Sequence, residues 1–117
     1  MTLFQKIIDR EIPADIVYET DAVLAFRDIN PTAPVHVLVI PKLPIDRVAN
    51  ATAKHADVLG QCLLAAAEVA RIEGIEDSGY RLVINNGANA GQTVFHLHVH
   101  VIGGTPLGWP PFASSPK

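Results

Sequence analysis

Val94-Phe95-His96-Leu97-His98-Val99-His100-Val101-Ile102 is the stretch on which the reading of this chain turns. β-Branched and aromatic residues favour extended backbone, so Phe95 to Ile102 is expected as a strand. Side chains alternate across a strand. His96, His98 and His100 then share one face, and Leu97, Val99 and Val101 share the other. The apolar face can drive folding, whereas the histidine face gains nothing from burial alone. Neighbours on one face stand about 6.5–7 Å apart at roughly 3.3 Å per residue. Imidazoles at that spacing can converge on one small ligand.

Immediately upstream, Asn86-Gly87-Ala88-Asn89-Ala90-Gly91-Gln92-Thr93 reads as a loop of small residues, preceded by a strand from Arg81 to Asn85. Further back, a long helix is expected from Thr52 to Glu73, with Gly74 as its stop. Its helical period places Val58, Leu59, Cys62, Leu63, Ala66, Val69 and Ala70 on one face. Asp57, Gln61, Glu68 and Arg71 fall on the other, and His55 reads as a surface residue. His36 to Ile40 is a strand stopped at Pro41, and Asn30-Pro31-Thr32-Ala33-Pro34 before it is a loop. Val23 to Asp28 and Ile16 to Glu19 are strands joined by a turn at Thr20-Asp21. A short amphipathic helix opens the chain from Leu3 to Asp9, N-capped by Thr2. Five strands and one long helix without βαβ alternation predict an α+β fold with a mainly antiparallel sheet.

The 117 residues fit one domain spanning 1–117. Gly103, Gly104, Gly108 and the closing prolines suggest an extended end, with 112–117 as a tail. Hydrophobic residues make up 49% and charged residues 18%, enough apolar material for a core. The net charge is −3 and the cations are scattered, which excludes a clustered nucleic-acid or membrane-surface footprint. No apolar run approaches the ~20 residues of a membrane-spanning helix. The lone Cys62 lies in the helix's apolar stripe and reads as a buried hydrophobe. A cytoplasmic protein is expected.

Three readings of the histidine face remain. The rings can satisfy local hydrogen bonds, the better reading for any one histidine alone. They can bind zinc, although no Cys, Asp or Glu lies close in sequence to complete such a site. They can perform phosphorus chemistry, where neutral imidazole is both nucleophile and proton carrier near pH 7. The loop favours the last, since Gly87 and Gly91 let backbone N–H groups approach an anion. Thr93 adds a hydroxyl and Asn85 an amide.

The His-φ-His-φ-His-φ-φ form of residues 96–102, with φ an apolar residue, resembles the motif that names the histidine triad (HIT) superfamily. Phe4 to Pro13 resembles that family's opening helix. Phe26-Arg27-Asp28-Ile29-Asn30-Pro31 with residues 33–42 resembles its first nucleotide-binding block, and residues 85–87 with 91–96 its phosphate loop. Gly103-Gly104 and Trp109-Pro110-Pro111 are similar to the ending of the Hint branch, the histidine triad nucleotide-binding proteins.

The resemblance implies a hydrolase of purine nucleoside 5′-phosphoramidates, acting through a covalent nucleotidyl-histidine. By position His98 matches the nucleophile, His100 a phosphate and leaving-group contact, and His96 and His36 supporting histidines. Thr93 stands beside the phosphoryl group, with Asn85, Gly91 and Gln92 on the phosphate side. Asp28 matches the ribose contact, and Phe4, Ile7, Phe26 and Ile29 the base pocket. The family fold is a five-stranded sheet extended across a homodimer, with Trp109 reaching towards the partner's site. Neither a cofactor nor a metal is implied, and Gln5 stands where many bacterial relatives carry cysteine. Two alternatives are a dinucleoside polyphosphate hydrolase or nucleotidyltransferase of the same superfamily, and a nucleotide-binding scaffold.

Overall fold

The computed structural model describes residues 1–112. Its elements are α1 (Leu3–Ile8), β1 (Ile16–Glu19), β2 (Val23–Arg27), β3 (Val35–Pro41), α2 (Ala56–Ile72), β4 (Tyr80–Val83) and β5 (Val99–Gly103). The expected tail lies outside the described residues from position 113 onward. The five strands form one sheet in the order β1-β2-β3-β5-β4. Every neighbouring pair is antiparallel, as an α+β reading requires.

Register decides what faces what, because directly opposed residues project to the same side. Ala25 opposes Val39, which opposes Val99, and Val37 opposes Val101. These line the face packed against α2, where Cys62, Ala66 and Val69 meet them in one buried cluster. Phe26 opposes Leu38, which opposes His100, and Leu24 opposes Ile40. With Phe4 and Ile7 of α1, the apolar members of that set form a second buried cluster. Central β3 is thus buried on both sides, and the histidine face is covered as well, by α1.

Helix α2 ends as expected. Gly74 adopts φ +74°, and Ile75, just beyond it, donates its N–H to Ala70 O and packs into the core. Its start differs. A single 3₁₀ turn, Ala53–His55, replaces the first turn expected from Thr52, and another, Val48–Asn50, precedes it. His55 closes the turn at Ala53–His55: its Nδ1 accepts the Thr52 N–H at 2.9 Å, so it caps and is not a plain surface residue. The buried stripe is also rotated. Ala65 lies in the core, whereas Leu63, expected there, is 49% exposed. Small side chains at Ala65, Ala66 and Ala70 bring the helix close to the sheet, and the bulkier leucine is left outside.

The histidine strand is shorter than expected. β5 begins at Val99, so of the three motif histidines only His100 lies within the ladder. The cause lies in its neighbours. β3 ends at Pro41, whose carbonyl is taken by His96 Nε2 at 2.7 Å, and Leu97 N–H donates to Ile45 O at 2.6 Å. Residues 95–98 thereby leave the sheet and are held by loop carbonyls. At the other end, a Cβ on Gly103 would come within 2.8 Å of Ile75 Cδ1, so only glycine lets β5 pass there.

Candidate active site

Each histidine ring is held by a different group. His96 is 1% exposed and donates from Nε2 to Pro41 O. His98 donates from Nδ1 to the His96 carbonyl at 2.8 Å. A carbonyl can only accept, so the His98 proton sits on Nδ1 and Nε2 keeps its lone pair. Phe4 packs edge-on against His98, with ring centroids 5.0 Å apart, and the His100 ring lies 4.9 Å away on the other side. His100 Nδ1 meets His36 Nε2 at 2.9 Å, joining β5 to β3. His100 Nε2 is buried and has no hydrogen-bond partner among the described residues.

Burial pushes all three motif histidines below their ordinary range. For His96 and His98 desolvation leads, partly opposed by the Pro41 and His96 carbonyls respectively. His100 falls to about 4 through desolvation first and then the nearby His98 and His36, with Asp28 opposing. The cluster is therefore built to be neutral near pH 7.

The glycine loop is organised differently from the open cradle expected. Gly87 and Gly91 both adopt φ +89°, the backbone freedom foreseen for them. Yet the N–H groups of Gly87, Ala90, Gly91 and Gln92 are all spent within the loop. Gln92 is its bolt. Its side chain is buried, accepts the Gly87 N–H at 2.8 Å and donates to Asp46 O and Val94 O. Gln92 therefore has no side-chain amide left for a ligand. Thr93, by contrast, is exposed, and its N–H makes no internal bond. Asn85 is half-buried at the foot of the loop, just past the end of β4.

Beside the histidines lies a cleft of about 300 Å³ lined by Phe4, Ile7, Phe26, Asp28, Ile29 and Thr93 among others. All six were expected site residues. Ile29 is 89% exposed and forms only the rim. Leu38 and Val94 also line the cleft and were missed. Leu38 was legible in principle, since it lies two residues from His36 on β3 and so shares its face. Asp28 sits at the junction. Its Oδ1 accepts the Asn30 N–H at 2.9 Å, and Oδ2 lies 3.5 Å from His36 Nε2. No imidazole lines either this cleft or a shallower groove of about 330 Å³ between β1 and α2, but only the cleft is joined to the triad, through Phe4 against His98. Trp109 is 81% exposed and does not line the cleft, and Arg81 donates to Gly108 O at 2.7 Å just before it.

Asp28, His36 and His100 each offer one ligand atom, all within 4.8 Å of one another. The two imidazoles already bond to each other, so a cation there would have to replace the hydrogen they share. Without one, the arrangement offers an aimed lone pair, an unpartnered ring nitrogen, a hydroxyl and an apolar cleft closed by a carboxylate. That set suits a planar apolar group joined through a hydroxyl-bearing link to a phosphoryl centre.

Comparison with known proteins gives the same picture. The HIT domain family matches residues 9–107. A protein of Escherichia coli K12 named purine nucleoside phosphoramidase is 51% identical over 107 residues, covering 92% of this chain and 90% of that one. Adenylylsulfatase HINT1 of Arabidopsis thaliana is 49% identical over 112 residues, covering 94% of this chain and 76% of that one. The crystal structure of a HIT family hydrolase from Legionella pneumophila superposes with a TM-score of 0.93 at 43% identity, covering 96% of this chain and all of that one.

Proposed function

Because the chain belongs to the HIT domain family, we propose that it hydrolyses the P–N bond of purine nucleoside 5′-phosphoramidates and releases the nucleoside monophosphate. The observation that carries this reading is His98, whose Nδ1–H is engaged by a carbonyl and whose Nε2 is left free. In the first step His98 Nε2 attacks phosphorus, forming a nucleotidyl-histidine as the bond to nitrogen breaks. The amine leaves with a proton from the site or from the substrate itself. In the second step water attacks phosphorus, and the histidine is regenerated with the monophosphate as product.

Charge grows on the non-bridging oxygens in both steps, so fixed donors lower the barrier. Thr93 supplies its hydroxyl and free N–H, and His100 its buried ring. Asn85 and Gly91 border the phosphate side. Gln92 acts from beneath, by fixing the loop, and His96 and His36 act by holding their neighbours. Asp28 takes the ribose hydroxyls, with the base against Phe4, Ile7, Phe26 and Ile29. His98 and water account for both steps, so no cofactor or metal is invoked.

The working unit in this proposal is a homodimer. Both edge strands, β1 and β4, are open among the described residues, and an open edge favours pairing. Leu82 on β4 and Leu63 and Leu64 on α2 are exposed apolar residues near such a seam. Pairing would carry Trp109 towards the partner's cleft. Sedimentation at assay concentration checks this, and a fully active monomer would overturn it. A cytoplasmic setting belongs to the same proposal and is checked by cell fractionation.

The deciding experiment is turnover of adenosine 5′-phosphoramidate after exhaustive chelation, for the wild type and His98→Ala. His98→Ala should lose activity by several orders of magnitude and still bind AMP. Near-normal turnover by the variant would remove His98 from the role. Diadenosine polyphosphate and adenylyl sulfate belong in the same assay, because faster turnover of either would favour a different superfamily activity. Nucleotide binding with no turnover of any of them would favour a scaffold.

A further inference from the structure

The ring of His100 is joined through His36 to the loop that precedes β3, the strand beside β5, and the part this connection plays rests on the reading of the site just given. We propose that Thr32 is a positioning residue: its backbone N–H fixes His36 in one tautomer, and His36 in turn fixes His100 with its proton on Nε2. Thr32 N–H donates to His36 Nδ1 at 3.1 Å, with Thr32 Oγ1 3.3 Å from the same nitrogen. A backbone amide nitrogen can only donate. His36 Nδ1 therefore carries no hydrogen, and the ring hydrogen lies on Nε2. That hydrogen points along the 2.9 Å contact to His100 Nδ1. His100 Nδ1 must accept it, which leaves the His100 hydrogen on Nε2, the buried atom with no protein partner.

The lock is stiff for a local reason. Pro31 and Pro34 flank the loop, each with a fixed φ and no N–H of its own. His36 is almost wholly buried, its side chain 4% exposed. Asp28 Oδ2, 3.5 Å from His36 Nε2, favours the hydrogen at that same nitrogen. A proton added to His36 Nδ1 would face the Thr32 N–H, and one added to His100 Nδ1 would face the His36 Nε2–H. Neither ring can therefore hold two hydrogens without breaking a bond.

Two histidines two residues apart are thus held in opposite tautomers. His98 presents a lone pair and His100 presents a hydrogen. The second is a donor without being charged, which suits a cluster buried as this one is. The proton that leaves with the amine then comes from the amine's own side of the site or from solvent, since His36, the ring bonded behind His100, has no second hydrogen with which to make good a proton passed forward.

The test reads the tautomers directly, without substrate, so its outcome is independent of whether phosphoramidates are turned over. Long-range ¹H–¹⁵N correlation on the full chain with ¹⁵N-histidine should show His98 protonated at Nδ1 and His100 at Nε2. With uniform ¹⁵N, couplings across the hydrogen bonds should link Thr32 N to His36 Nδ1 and His36 Nε2 to His100 Nδ1. His100 protonated at Nδ1, or absence of the Thr32–His36 coupling, overturns the proposal. Thr32→Val keeps the N–H and should leave the His100 tautomer unchanged. Thr32→Pro removes it and should give mixed His100 tautomers beside an unaltered His98 signal. In that variant kcat should fall by about tenfold or more with AMP affinity retained. An unaltered His100 tautomer in folded Thr32→Pro also overturns the proposal. Should that variant fail to fold, the wild-type couplings and tautomers decide alone.

Discussion

Under α2 the sheet meets Cys62, Ala65, Ala66, Val69 and Ala70, and the fully buried side chains of that cluster are all apolar or, at Cys62, a thiol. On the opposite side a helix of six residues covers the sheet with Phe4 and Ile7, and the strands present His36 and His100 among Leu24, Leu38 and Ile40. Both faces are buried. One is satisfied by volume alone, whereas the other is satisfied only when each ring nitrogen finds its carbonyl, its neighbour or a ligand. The difference separates two kinds of core. The first stabilises the fold, and the second uses stability to hold polar groups in fixed protonation states.

The comparison is broken most severely at Phe4. Phe4→Ala removes the ring that packs on Phe26 at 5.5 Å and on His98 at 5.0 Å. It should cost about 3 kcal/mol and lower kcat/KM at the same time, as read by denaturation and turnover in parallel. Val69→Ala makes a smaller cavity under α2. It should cost roughly 1–3 kcal/mol and leave kcat/KM within about twofold. A loss of activity in Val69→Ala beyond its loss of folded protein would show that the two faces are not separable.

Acid sharpens the same contrast. His96, His98 and His100 are held below the 6.5 of an ordinary histidine, His100 at about 4. Below pH 6.5 the unfolded chain binds protons that the folded chain refuses, so stability falls as pH drops towards the folded values. Among the described residues, the buried cluster under α2 holds one titratable side chain, Cys62, and burial pushes it up to about 11, above this range. Melting temperature should therefore decline between pH 6.5 and about 5, and Val69→Ala should shift the curve without changing its slope. A flat profile over that interval would contradict the burial of neutral rings.

Alternation made much of this legible. It put His96, His98 and His100 on one face, whereas His36 came in only through the family resemblance. The composition of residues 52–74 marked the long helix and its stop. What escaped depends on groups far apart in sequence. The late start of the histidine strand follows from the Pro41 and Ile45 carbonyls, more than fifty residues upstream. Leu63 and Ala65 exchanged places because the close approach of α2 to the sheet, which no single-helix pattern contains, selects the smaller side chain. The glycines announced a loop, but not that its N–H groups would be spent on the Gln92 side chain and on the loop's own carbonyls. Thr32 looked like one more polar residue between prolines, and only the 3.1 Å contact to His36 gives it a role.

Gln92 has a thermodynamic consequence. A loop tied by one buried amide to Gly87, Asp46 and Val94 has its shape before any ligand arrives. Under the proposed function, an incoming phosphoryl group need not freeze a mobile segment, so little of the binding free energy is lost to ordering. The surface it meets is pre-formed, and each encounter in the right orientation can be productive without a slow closing step.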